Sequence, residues 1–288
     1  MGKRRLDTVL AERGLFSSRT RAAASVMAGE VKVGRGERRA AKPGELVDEQ
    51  EILTVDAPPP FVSRGGIKLA NALASCGLDV SGRRAIDVGS STGGFTDCLL
   101  RHGAVAVTAV DVGYGELDYR LRTDPRVTVM ERTNARSLEP GMLASPLPDL
   151  ATIDVSFISI GKLLGPVLSC LERPFDVLAM IKPQFEVGRG RVGKGGVVRD
   201  PDERRRALIA VGARALELGA GVLGYHSSGL PGPKGNRETF IWLAEPGRPG
   251  ALGAVGAVGA VGGVGHGDGP KALEALEALE ALARTVEP

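Results

Sequence analysis

Five short apolar runs, Ala85–Val88, Val105–Val110, Val127–Met130, Leu150–Ile153 and Val177–Ile181, recur through the middle of the chain, with helical stretches between most of them. No other feature restricts the fold as much. A strand buried on both faces reads as a continuous run of Val, Ile and Leu, and strands that alternate with helices pair in parallel through crossovers. The runs therefore predict an α/β fold built on a doubly wound sheet. Two later runs, Gly221–His226 and Glu238–Leu243, predict a closing antiparallel pair. With 43% hydrophobic residues in 288, the chain can fill such a core.

Open sheets of this kind bind ligands at the carboxyl ends of their strands. The first run ends in Asp87-Val-Gly89-Ser-Ser91-Thr-Gly93-Gly94-Phe-Thr96. Glycines at a strand-to-helix turn let a ligand approach the backbone. A dinucleotide fingerprint needs glycine at the middle of G-x-G-x-x-G, where Ser91 stands, and the lysine of a P-loop is absent. Asp111 follows the second run, where a ribose hydroxyl would sit, and Asp154 follows the fourth. The combination suits a nucleoside ligand without a pyrophosphate, such as S-adenosylmethionine.

The leading segment has another character. Residues 1–42 carry eleven Lys/Arg against four Asp/Glu, which points to a polyanion partner, most simply nucleic acid. Helical patterns at Arg5–Leu10 and Ser18–Met27 precede strand signals at Val31/Val33 and Ile52/Val55; Ser18 is placed to cap the second helix and Gly29 to end it. Asp56-Ala-Pro-Pro-Pro60 reads as a stiff connector. Near the other end, Gly250–Gly269 repeats Gly-Ala-Val and Ala272–Ala283 repeats Ala-Leu-Glu. A three-residue period drifts by about 60° per repeat around a 3.6-residue helix, so it holds no sustained apolar face. The expected organisation is a small α+β unit at 1–57, a Pro-rich linker at 58–62, a sheet domain at 63–244, and a tail at 245–288 outside both, disordered or weakly helical.

Cys76, Cys98 and Cys170 lie far apart and the three histidines are scattered, so neither a disulfide framework nor a metal site is expected. A reducing cytoplasm fits best. No apolar stretch of signal-peptide length follows the basic start, and Gly250–Gly265 is shorter than the about 20 residues of a bilayer span. The expectation is a cytoplasmic monomer without membrane or metal partners.

Several motifs then carry a family resemblance: S-R-G-G-I-K-L (63–69), D-V-G-S-S-T-G-G-F-T-D (87–97), D-V-G-Y-G (111–115), E-R-T-N-A-R (131–136), D-V-S-F-I-S (154–159), K-P-Q-F-E-V-G (182–188) and P-G-P-x-G-N-x-E (231–238). Together they resemble the FtsJ-like 2′-O-methyltransferases, class I S-adenosylmethionine enzymes with a Rossmann-like sheet. R-L-D-x-x-L-x-x-x-G-L-x-x-S-R-x-x-A, from Arg5 to Ala22, resembles an S4 RNA-binding domain. The pairing of the two is similar to the TlyA family of ribosomal RNA 2′-O-methyltransferases, also labelled haemolysins. Val33-Gly34-Arg35 departs from the V-N-G common in S4 turns, and the repetitive tail has no family counterpart.

The resemblance implies S-adenosylmethionine-dependent methylation of a ribose 2′-hydroxyl, with cytidine of 16S and/or 23S ribosomal RNA in ribosomal subunits as the substrate. A hydroxyl is a poor nucleophile and must be oriented and relieved of its proton. Burial, or a second cation nearby, makes a lysine a better base. The family's Lys-Asp-Lys-Glu set falls on Lys68, Asp154, Lys182 and Glu238. Lys182 would be the base or hydroxyl-orienting cation and Asp154 its partner facing the donor. Lys68 and Glu238 would complete the charge network. Donor contacts are expected from Asp87, Gly89, Ser91, Gly93, Asp111, Asn134 and Ala135. Gly89 is expected because a side chain there would meet the ligand, and Asn134-Ala135 would lie beside the adenine.

Amino-methyltransferases carry [N/D]-P-P-[Y/F] where this chain has Asp154-Val-Ser-Phe157, which argues against a base nitrogen as the target. Phe157 is placed to stack on a substrate base. Phosphate contacts are expected from Arg4, Arg5, Arg19, Arg21 and Lys42, from Arg64 and Arg136 beside the active-site motifs, and from Arg189 in a basic, mobile loop at 188–194. Two rival readings are a non-catalytic RNA-binding or ribosome-assembly factor and a pore-forming haemolysin. Labelled-methyl incorporation into ribosomal subunits tests the first, and dye release from liposomes the second.

Overall fold

The computed structural model describes residues 2–16, 18–27, 29–55, 60–253 and 270–287, without the side chains of Arg189 and 270–272. The first two prolines of the expected linker and residues 254–269 of the tail lie outside the described residues. The chain divides into two units, Met1–Pro60 and Phe61–Pro288.

The first unit runs β1 (Lys3–Arg5), α1 (Leu6–Glu12), α2 (Arg19–Met27), β2 (Val31–Val33), β3 (Arg38–Arg39), β4 (Leu46–Asp48) and β5 (Leu53–Val55). β1 pairs with β4, and β2 lies between β3 and β5. Leu6, Val9 and Leu10 of α1 meet Ala22 and Val26 of α2 and the inward valines of β2 in one small core. Ser18 Oγ accepts from the Arg21 amide at 3.2 Å, which caps α2 as its sequence predicts.

The second unit runs α3 (Arg64–Cys76), β6 (Arg84–Val88), α4 (Gly94–Arg101), β7 (Ala106–Val110), α5 (Tyr119–Arg122), β8 (Val127–Met130), β9 (Leu150–Ile153), α6 (Leu164–Ser169), β10 (Asp176–Ile181), α7 (Pro183–Glu186), α8 (Pro201–Glu217), β11 (Gly221–Ser227), β12 (Thr239–Ala244) and α9 (Pro270–Arg284). The seven strands order as β11-β12-β10-β9-β6-β7-β8. β12 is antiparallel to both of its neighbours, and the other pairs are parallel. This is the predicted Rossmann-like α/β sheet with its closing pair. Its central strands are buried on both faces, so side chains alternate between two cores. Val177, Ala179 and Ile181 of β10 join one, with α6 and α8, while Leu178 and Met180 join the other, with α3 and α4.

The tail is corrected by the structure. Leu252 exchanges backbone hydrogen bonds with Val222 of β11 at 2.8 and 3.1 Å. Leu279 and Ala283 of α9 are fully buried in the α8 core, while Leu273 and Leu276 stay exposed. The drifting repeat cannot bury every leucine, yet one turn of it meets α8 in phase. A Cβ on Gly212 of α8 would stand 2.7 Å from Leu279 Cδ2, so α9 seats against a position that has no side chain. Described residues of the tail therefore belong to the second unit.

Candidate active site

Three adjacent parallel strands deliver the central residues. Gly89 follows β6, Asp154 follows β9 and Lys182 follows β10, so all three emerge at one end of the sheet. Lys68 comes from the second turn of α3, and Glu238 stands one residue before β12. All five line a cavity of about 700 Å³. The four ionisable members form two ion pairs. Lys182 Nζ is 2.6 Å from Asp154 Oδ1 and donates to Ser156 Oγ at 3.2 Å. Lys68 Nζ pairs with Glu238, and both side chains are buried.

The two pairs differ in setting. Lys68–Glu238 is buried between α3 and the start of β12, whereas Asp154 and Lys182 are only part-buried at the cavity wall. The glycine motifs explain how α3 reaches the site. A Cβ on Gly94, at the start of α4, would fall closer than 3.0 Å to Ser63 Oγ and to the Gly66 amide. The bare backbones of S-R-G-G and T-G-G thus let the amino ends of α3 and α4 touch, which carries Lys68 to the glycine loop.

Gly89, Ser91 and the neighbouring loop residues also line the cavity. Gly89 has a left-handed φ of 84°, and a Cβ there would collide with the Asp154 carbonyl. Its glycine is required by the protein's own backbone, a different reason from the expected clash with ligand. Gly93 is likewise closed in by Leu117 and Leu121. Asp111 accepts from the Ser91 and Gly113 amides, each at 2.7 Å, and so fixes the loop from the end of β7.

Asp87 is completely buried and accepts from Thr96 Oγ1 at 2.7 Å and Thr152 Oγ1 at 3.0 Å. Burial pushes its carboxyl up to about 7, against the two threonine bonds, with Asp154 adding repulsion. Asp87 therefore braces β6 from below the loop, because both oxygens are already engaged away from the cavity. Asn134 Oδ1 accepts from the Arg136 amide and caps a short 3-10 turn, and Ala135 packs in the core. Neither residue lines the cavity, nor do Asp87, Gly93 and Asp111.

A second cleft of about 460 Å³ shares Phe157, Gln184 and Phe185 with the first, and adds Arg136 and Lys162. Phe157 is 91% exposed, with its ring centroid 5.3 Å from that of Phe185. Glu186, at the base of this cleft, accepts from the Ile160 amide and Ser159 Oγ, and burial raises its carboxyl above the usual range. Arg64 lines the first cavity and donates to the Pro231 carbonyl at 3.0 Å. The Arg189 side chain lies outside the described residues. Ser156, Gln184, Lys234 and Asn236 also line the cavity and were not singled out by sequence. Ser156, Gln184 and Asn236 are fixed positions of quoted motifs, which is the available signal, whereas Lys234 stands at an unspecified position of its motif.

In the first unit the basic residues divide. Arg5 and Arg19 both donate to buried Asp7, at 2.8 and 3.2 Å, and these bonds hold its carboxyl down at about 2. Arg4 pairs with Glu12 and Glu49. Arg21 and Lys42 are exposed.

Comparison with known proteins follows the same division. Residues 61–245 match the FtsJ-like methyltransferase family, and residues 4–53 match the S4 domain. The 16S/23S rRNA (cytidine-2′-O)-methyltransferase TlyA of Mycobacterium tuberculosis is 48% identical over 241 residues, 83% of this chain and 89% of that protein. YqxC of Bacillus subtilis is 47% identical over 247 residues, 85% of this chain and 87% of its own. The solved structure of a hemolysin-named protein from Streptococcus thermophilus is 36% identical with a TM-score of 0.66, covering 99% of this chain and 98% of that one.

Proposed function

The chain belongs to the FtsJ-like methyltransferase family, in the TlyA group that adds an S4 domain, and from that premise we propose that it methylates the ribose 2′-hydroxyl of a cytidine in ribosomal RNA, with S-adenosylmethionine as donor. One observation carries the reading: two lysine–carboxylate pairs and a glycine loop at the end of β6 share one cavity.

The cavity fits that donor. Its loop offers backbone at Gly89–Thr92, and Asp154, part-buried at the wall beside Lys182, is the carboxylate placed to share its charge with a positively charged ligand. Ser91, held by Asp111, would contact the nucleoside end, and Asp154 the methionine end. When bound, the donor supplies an electrophilic methyl group on a sulfonium.

The chain's part is to bind, orient and move one proton. Lys182 would meet the 2′-oxygen and, in its neutral amine form, would take the hydroxyl proton as the oxygen–methyl bond forms and the donor's sulfur–methyl bond breaks, the neutral thioether leaving. Asp154 then steadies the ammonium that results, and the proton leaves to solvent through the cavity mouth. Lys68 and Glu238 hold the far wall at fixed charge. Phe157 and Phe185 would stack the target base, and Arg64 and Arg136 would hold flanking phosphates. The protein would act as a cytoplasmic monomer without a metal.

Purified protein, ribosomal subunits and methyl-labelled donor test the reading. Lys182→Ala should lower turnover at least about 100-fold, the scale of general acid–base catalysis. Equal incorporation by wild type and variant would sink it. Among the described residues no helix is long and apolar enough to cross a membrane.

A further inference from the structure

The loop at 188–194, expected to be mobile, continues into a segment that is anchored. Val192 and Gly196 line the active cavity. The Gly193 and Gly196 amides close a turn on the Val197 and Gly193 carbonyls, at 3.2 and 3.0 Å. Buried Asn236 straddles this segment: its Oδ1 accepts from the Val198 amide at 2.9 Å, and its Nδ2 donates to the Gly196 carbonyl at 2.8 Å. Two residues further on, Glu238 pairs with Lys68.

The other side of the segment is held by Arg204, in the first turns of α8. Its Nη1 donates to the carbonyls of Arg199 at 2.7 Å and Val198 at 3.3 Å. Its Nη2 donates to Glu287 Oε2 at 2.8 Å. Both side chains are buried, and Glu287 also stands 3.5 Å from the Arg237 guanidinium. Arg205 donates to the Glu287 carbonyl at 2.9 Å, which fixes the backbone there.

We propose that Glu287 is a positioning residue for the active site, acting through Arg204 on the segment 196–199, whose Gly196 lines the cavity; the proposal rests on the reading of the cavity as a methyl-transfer site. A buried guanidinium keeps its place only while its charge is matched. With Glu287 neutral, Arg204 turns toward solvent and releases the Val198 and Arg199 carbonyls. The segment then loses its side-chain hold from α8 and keeps the one from Asn236, which sits directly before the Arg237–Glu238 step that aims Glu238 at Lys68. The repetitive tail thus reaches the chemistry through one carboxylate, although none of its described residues lines the cavity.

Glu287→Gln keeps the side-chain shape and removes the charge. The full-length variant is compared with wild type at a temperature where both give the same circular dichroism. Amide hydrogen exchange at 193–199 should rise about tenfold, and kcat for methyl transfer should fall about tenfold, the scale of a small misplacement, with KM for S-adenosylmethionine near wild type. Unchanged exchange, or a loss of kcat that only tracks a loss of folded protein, overturns the proposal. If Glu287→Gln does not fold, Glu287→Asp carries the same comparison, since it keeps the charge but withdraws it from Arg204. Exchange is read without substrate. A wild-type protein inert on RNA would therefore defeat the methyl-transfer reading while the clamp is still judged by exchange.

Discussion

Lys68 and Glu238 are both buried, so their pair carries a structural cost that Lys182 and Asp154 do not share. Lys68→Met alone leaves a buried carboxylate without its counter-charge and should destabilise the protein by about 3–5 kcal/mol. Lys68→Met with Glu238→Gln removes both charges and should regain most of that stability in urea melts, while methyl transfer stays low. Recovered activity in the double variant would show that the pair serves folding alone. Asp87 gives a pH signature. Its carboxyl titrates at about 7 folded against an ordinary 3.8, so folding takes up a proton between those values. Its contribution is full below about pH 4 and is lost as pH rises through about 7. Asp87→Asn should flatten the fall in Tm between about pH 4 and 7, and an unchanged slope would contradict the assignment. These residues also mark what sequence can and cannot reveal. The four charged residues are legible as a set through their motifs, and the structure brings them to one cavity. The roles of Asp87 and Gly89 are not, because Thr152 and the Asp154 carbonyl, their partners, lie 65 residues away in the chain and meet them only across the folded sheet.

At the scale of elements, the strands were legible because burial on both faces forces continuous apolar runs, and β6 to β10 begin and end within a residue or so of those runs. A weak helix was legible at α9 but its packing was not, because its repeat contains no sustained apolar face of its own and meets the bare Gly212 position on α8 over one turn. That contact separates leucines that are identical in sequence context. Leu279→Ala should cost about 2–5 kcal/mol, as for other fully buried leucines. Leu273→Ala, at 61% exposed, should stay within about 0.5 kcal/mol of wild type. Equal effects in denaturant unfolding would mean that α9 does not pack in this register.

At the scale of the whole molecule, the first unit supplies charge and the second supplies chemistry, and the charge is not shared equally among its basic residues. Asp7, held ionised by Arg5 and Arg19, keeps both guanidinium groups partly satisfied at any pH near neutrality. Arg4 is committed to Glu12 and Glu49. A cation that already has a carboxylate gains less from a phosphate, since the first partner must be given up or shared. Arg21 and Lys42, exposed and without an ion pair among the described residues, should therefore release counterions most fully when RNA binds. For a single-stranded target each such contact contributes about 0.7 to the slope of log affinity against log salt concentration. Arg21→Ala and Lys42→Ala should each lower the slope by about that amount, and Arg4→Ala by less, as read from binding titrations across a salt series. Donor affinity should not change in any of the three. A larger slope change for Arg4 than for Arg21 would show that the carboxylate pairs open on binding, and that the whole basic face, not its unpaired members, holds the RNA.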